Sequence, residues 1–246
     1  MTDRRREFLI LWAAGMVGVA LLLPYSLSLT ALPPNLSFGA LVAAALVQNG
    51  ILLAVAVGAG LWCAGRVRLG APILEAALRG EAVLDRLRRL WPVPVATGLA
   101  VAIAIVVLDL VVFEPNLPAI TTPTGATPGP LLGLLASFYG GITEELLTRL
   151  FMVSFFAWLL SPFLRGAALY WFAIVVAALL FGAGHLPATG LLMPLTPLVV
   201  IRALVLNGVA GIAFGVLYWR YGLEAAMLGH FAGDLGLHVV APALSA

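Results

Sequence analysis

The sequence predicts an all-α fold, a polytopic transmembrane helical bundle of about seven spans. Of its 246 residues, 63% are hydrophobic and only 10% are charged. A soluble domain carries about 25% charged residues, and crossing a bilayer core takes ~20 consecutive apolar ones. Apolar runs of that length recur along the chain, and the mean hydropathy is +1.11. Membrane lipids are therefore the expected surroundings. A formal charge of +2 gives nucleic-acid binding no support.

The first run, residues 8–30, follows the basic flank Arg4-Arg5-Arg6. That flank loosely fits a twin-arginine signal, but the apolar stretch outlasts a signal's core and further spans follow, so it reads as the first crossing. The second run, 38–64, is set off by "ALPPNLS". Residues 71–91 space leucines and arginines helically, predicting an amphipathic helix on the cytoplasmic membrane surface, interrupted near Gly80. The third run is 94–113, and "EPNLPAITTPTGATPGP" precedes the fourth, 130–161, which is over-long for one straight span. The fifth, 167–185, is separated by "HLPATGLLMPLTP" from the sixth, 196–219, and the seventh is 222–241. The expected division is 1–92, N-terminal membrane helices with the amphipathic segment, and 93–246, a helical core with a polar site among the last four spans.

Charge placement sets the orientation. All 13 basic residues are Arg. With the N-terminus cytoplasmic, eleven of them flank the spans on that side, and the opposite connections carry none. Only Arg149 and Arg202 fall inside apolar runs. The expected location is the cell membrane, of a bacterial inner-membrane type. Cys63 is the sole cysteine, so no intramolecular disulfide can form.

A charge at the centre of a membrane helix costs roughly 2.5–3.5 kcal/mol on insertion scales, so such groups face a partner inside the protein. The groups concerned are Asp109, Glu144, Glu145, Arg149, His185, Arg202, His230, Asp234 and His238. In "GGITEELLTR", Glu145 and Arg149 are i,i+4 neighbours in the favoured order and can pair. Glu144 points about 100° away with no local partner, which leaves its carboxylate free to accept a proton. Taken alone, the three residues suit an ion-pair network for helix packing equally well. In "FGAGHLP", His185 follows Phe181 by one turn, and in "GHFAGDLGLH", His230 and Asp234 share a face. A carboxylate one turn from an imidazole can fix its tautomer. One free Glu and two His converging on a point can hold and deprotonate a water, directly or through a divalent metal. The set is not the HExxH zinc motif, and no GxSxG elbow occurs.

Glu144-Glu145-Leu146-Leu147-Thr148-Arg149 resembles the EExxxR motif of the CPBP family, the CAAX prenyl endopeptidase and bacteriocin-processing membrane proteins. Phe181 to His185 resembles its FxxxH motif, and His230 to Asp234 its HxxxN or HxxxD motif, in the family's order. The resemblance covers roughly residues 130–241 and implies an intramembrane endopeptidase acting on a membrane-bound or lipidated protein or peptide. It implies that Glu144 acts on the water, that His185 and His230 hold the water or a metal such as zinc, and that Asp234 supports the oxyanion or His230. Glu145, Arg149 and Phe181 are then structural supports. Metal-free activation of water is the preferred expectation. Asp234 stands where the prenyl-processing branch tends to have Asn, so prenyl specificity does not carry over with the motifs. The competing readings are a non-catalytic bacteriocin-immunity or scaffold protein and a proton-coupled transporter, although the two related halves common in transporters are absent from this sequence. Residue counting places Glu144 and His230 at mid-depth but His185 near the non-cytoplasmic surface. A helix break at Gly140-Gly141, strong tilt or a re-entrant start would bring the groups level.

Overall fold

The computed structural model describes residues 3–29, 37–117 and 128–245. The predicted linkers at 31–37 and 114–130 lie mostly outside them. Among the described residues there is no strand, and five helices are long and apolar enough to cross a membrane. The first two are α1 (Asp3–Leu29) and α2 (Phe38–Ala64), the second capped by Ser37, whose Oγ accepts from the Ala40 amide at 3.2 Å. This hydroxyl satisfies one of the amides that the first helical turn leaves without a partner.

The arginine-rich stretch folds as two short turns, α3 (Pro72–Leu78) and α4 (Leu84–Leu90), separated beyond Gly80. Between them Arg79 donates to Glu81 at 2.7 Å and Arg86 donates to its other oxygen at 2.8 Å. The Arg79 hydrogen bond holds the Glu81 carboxyl below the usual carboxylate range. Apart from Leu90, which packs against the core, α4 is solvent- or lipid-facing, with Leu84, Leu87 and Trp91 exposed beside its arginines. The third crossing follows, with α5 (Pro92–Leu108) running on through a π-helical turn, Asp109–Phe113.

The over-long fourth run folds as consecutive pieces: α6 (Pro130–Phe138), π-helix over Tyr139–Glu144 and Leu146–Val153, then α7 (Ser154–Leu160). A π-helical turn holds more residues than an α-turn and re-aims the side chains after it. This segment is central: α1 lies against its first half, α2 against its second, and the helices that follow close around it. Next come α8 (Gly166–Gly184) and α9 (Leu186–Leu192), then α10 (Pro197–Tyr221), capped by Thr196, and α11 (Leu223–Leu235). A π-helical turn, Gly236–Val240, and α12 (Ala241–Ser245) complete the described chain. Helix α8 packs on α10, α10 on α11, and α11 on α5 and on the π-helical turn before Glu144.

The stretch "HLPATGLLMPLTP", expected to be a connection, is helical over its first part. Pro187 sits in the first turn of α9, where a missing amide hydrogen is no loss. The helical stretch long and apolar enough to cross therefore runs from Gly166 to Leu192, 27 residues, and includes His185. Residue counting placed this histidine near the surface by ending the fifth run at residue 185.

Helix α5 approaches α11 so closely at Gly98 that a Cβ there would collide with the Gly229 carbonyl and lie 2.8 Å from the Gly233 amide nitrogen. Gly98→Ala is expected to destabilise the protein by about 1–3 kcal/mol, the range for overpacking a tight contact. Gly208→Ala, inside α10 with nothing within 4 Å, is expected to be neutral or stabilising by up to about 1 kcal/mol. Thermal melts of both variants in detergent check the pair. Equal losses would show that the α5–α11 approach is not the tight contact described.

Candidate active site

Four elements bring the polar groups together. The central segment supplies Glu144, Glu145 and Arg149, the α8–α9 junction supplies His185, α11 supplies His230 and Asp234, and α10 supplies Phe214. The sequence predicted that all but Phe214 belong together.

The deepest layer is an ion-pair relay. Arg149 Nη1 stands 2.8 Å from Glu145 Oε1, and the two residues are 1% and 0% exposed. The same oxygen accepts from His230 Nδ1 at 2.6 Å. Arg149 also donates from Nη1 to Thr148 Oγ1 at 2.6 Å and from Nη2 to the Ala210 and Gly211 carbonyls at 3.4 and 3.2 Å. Its guanidinium lies 5.3 Å from the Phe181 ring and 5.5 Å from the Phe214 ring. Glu145 Oε2, by contrast, is buried without a hydrogen-bond partner. Sequence spacing exposed the Glu145–Arg149 pair. It could not expose the Glu145–His230 bond, which joins residues 85 positions apart.

Above this layer sits a carboxylate of a different kind. Glu144 has no arginine within ion-pair distance among the described residues. Its Oε1 is 3.9 Å from His185 Nε2 and its Oε2 is 3.7 Å from His230 Nε2. Both gaps exceed a direct hydrogen bond and suit a bridging water. The far nitrogens are already engaged: His185 Nδ1 meets the Phe181 carbonyl at 2.8 Å, and His230 Nδ1 meets Glu145. A carbonyl can only accept, so Nδ1 of His185 carries a hydrogen, and in the neutral ring the lone pair is then at Nε2. In His230 the Nδ1–H donates to the Glu145 carboxylate, so in the neutral ring Nε2 is the nitrogen left free. Both free nitrogens thus face Glu144.

Asp234, the i,i+4 neighbour expected to support His230 or the oxyanion, places its Oδ1 3.5 Å from His230 Nε2, on the side facing Glu144. Glu145 takes the bracing position. The close approach of Asp234 depends on Gly140, where a Cβ would strike Asp234 Oδ2 and stand 3.2 Å from His230 Nε2. Phe181 meets His185 edge-on, with centroids 4.6 Å apart. Phe214 stacks on His230 at 4.8 Å and 26°; as one of twelve phenylalanines, it carried no sequence signal. Arg202 pairs bidentately with Asp109, with one contact at 2.6 Å, so neither joins the site. His238 Nε2 is 4.0 Å from Asp234 Oδ1 and marks the site's rim.

Residues 125–236 match the family model described as Type II CAAX prenyl endopeptidase Rce1-like. The matched segment contains every residue of the relay, and the match supports membership of the peptidase-related CPBP family. No curated protein and no solved structure matches the chain.

Removing one partner of a buried ion pair strands the other, at a cost of about 3–5 kcal/mol. Arg149→Ala is expected to lower folded yield and melting temperature sharply. Arg149→Lys should recover only part of the loss, because an ammonium lacks the planar fork that reaches Glu145 and two carbonyls together. Size-exclusion profiles and melts in detergent report both. An Arg149→Ala protein as stable as wild type would show that the relay does not support the fold.

Proposed function

We propose that the chain is an intramembrane endopeptidase that hydrolyses a peptide bond of a membrane-associated substrate with water activated by Glu144. One observation carries this reading. Glu144 is a carboxylate without a cation, set across water-sized gaps from two imidazole nitrogens whose other ring nitrogens are already bonded.

A water in those gaps donates one hydrogen to Glu144 and the other to an Nε2 lone pair, which turns an oxygen lone pair toward the substrate. Glu144 takes the proton as the oxygen attacks the scissile carbonyl carbon. The tetrahedral adduct collapses by breaking the C–N bond, and Glu144 returns the proton to the departing amine. General acid–base assistance of this kind contributes typically 10²–10⁴-fold. Glu145 serves differently: its bonds to Arg149 and His230 fix the imidazole's tautomer and direction. The aromatic faces of Phe181 and Phe214 hold both rings in place and keep bulk water away. Asp234, beside His230 Nε2, orients the water or, when protonated, donates to the developing oxyanion.

The donor types also suit zinc, which Glu144, His185 and His230 would hold and which would lower the pKa of the bound water. Among the described residues no group of three His, Cys, Asp or Glu stands at metal-holding spacing. The steps above are those of the side chains alone.

Glu144→Gln keeps the shape of the side chain and removes the base. It is expected to abolish turnover of a membrane-peptide library while leaving folded yield near wild type. Full activity in that variant would sink the assignment. Exhaustive chelation of wild-type enzyme is expected to leave turnover intact; a loss restored by zinc would instead install a metal held by Glu144, His185 and His230.

A further inference from the structure

A second polar feature lies away from the hydrolytic groups. The first turn of α1, the chain from Leu61 to Gly70, helix α3 and the last turn of α10 enclose a cavity of about 630 Å³. None of Glu144, His185, His230 or Asp234 lines it. The volume is that of a small organic ligand.

Glu7 is the cavity's unusual wall. It is only 6% exposed, its Oε1 is buried without a hydrogen-bond partner, and it makes no ion pair among the described residues. A buried carboxylate without a partner carries a desolvation penalty that a bound cation would relieve. Arg4, which lines the cavity one turn before Glu7, donates through Nη1 to the Leu61 carbonyl at 2.9 Å. Arg79 is likewise taken by Glu81.

The opposite charge is present too. Arg68 and Arg220 line the same cavity, and neither pairs with a carboxylate among the described residues. Arg220 lies over the Trp219 ring at 4.0 Å. Arg68 is the only non-glycine described residue with positive φ, 55°. A site with an unpartnered carboxylate and unpartnered guanidiniums calls for a ligand carrying both signs. A bare metal ion fits poorly, because no group of three acidic or imidazole side chains among the described residues stands close enough to hold one.

The position selects among zwitterions. Three membrane-length helices begin or end at this cavity, and Trp219 and Tyr221 line it at the level where interfacial aromatics sit. Phospholipid headgroups occupy that level. The geometry points to a seat for the phosphoethanolamine headgroup of a lipid, with its primary ammonium donating to Glu7 and its phosphate received by Arg68 and Arg220. Guanidiniums bind phosphate through paired donors. A choline headgroup has no N–H to donate, and a glycerol headgroup has no cation.

Native mass spectrometry on the full-length chain in detergent tests this, with dioleoyl phosphatidylethanolamine, phosphatidylcholine and phosphatidylglycerol as probes. The expected result is one tightly held phosphatidylethanolamine per chain, bound roughly tenfold or more tighter than the other two, the difference one charge-assisted hydrogen bond makes. Glu7→Gln should erase the preference over phosphatidylcholine. Arg68→Gln should weaken both lipids alike, since both carry phosphate. Equal binding of the three lipids by wild type, or a Glu7→Gln protein that keeps the preference, overturns the proposal. Displacement by free phosphoethanolamine at lipid-like concentrations overturns the lipid source and assigns the seat to a soluble zwitterion. The wild-type comparison decides even where a variant fails to fold.

Discussion

The buried carboxylate of Glu145 is the constraint on which the rest of the molecule depends. In a low-dielectric interior an ionised group persists only with compensation from its neighbours. Glu145 Oε1 has two partners, Arg149 at 2.8 Å on its own helix and His230 at 2.6 Å on α11. Arg149 carries the network on to the Ala210 and Gly211 carbonyls of α10. A single oxygen thus ties three helices together. It does so where hydrophobic association alone gives little specificity, because lipid tails are as apolar as leucine side chains. The pairing also sets an imidazole at a fixed angle, so one interaction serves both the fold and the site.

With Arg149 and His230 both held by Glu145 Oε1, the adjacent Glu144 is left without an arginine partner among the described residues. The contrast arises from the helix that carries both. The π-helical segments on either side of Glu145 widen the turn around the motif. Two neighbouring carboxylates consequently face different surroundings, one dry and paired, the other 19% exposed and aimed at two nitrogens. Small residues permit the arrangement: Gly140 lets α11 bring His230 and Asp234 against the helix, and Gly98 lets α5 close behind α11. The packing glycines and the polar relay act together, and neither assembles the site alone.

Much of this was legible in the sequence because membrane burial is strict about charge. In a chain with so few ionisable residues, each one inside an apolar run needs a partner, and Glu145 with Arg149 at i+4 names one directly. The grouping of Glu144, His185, His230 and Asp234 was legible through three short motifs in order. The end of the fifth run was not. A proline two residues after His185 looks like the end of a helix, yet it is tolerated in the first turn of α9 and the apolar helical stretch continues to Leu192. The π-helical turns left no mark, since a 3.6-residue periodicity and its local widening look alike in so apolar a run. The second partner of His230 was hidden for a related reason: spacing reveals neighbours one turn away, such as Asp234, and is blind to Glu145, 85 residues earlier.

An experimental structure at a resolution that shows ordered solvent tests the central claim most directly. The account predicts a solvent oxygen about 2.8 Å from the Glu144 carboxylate and within hydrogen-bond reach of the Nε2 atoms of His185 and His230, with Glu145 bonded only to Arg149 and His230. A Glu144 carboxylate paired directly with Arg149 or collapsed onto an imidazole, with no solvent between, would contradict it.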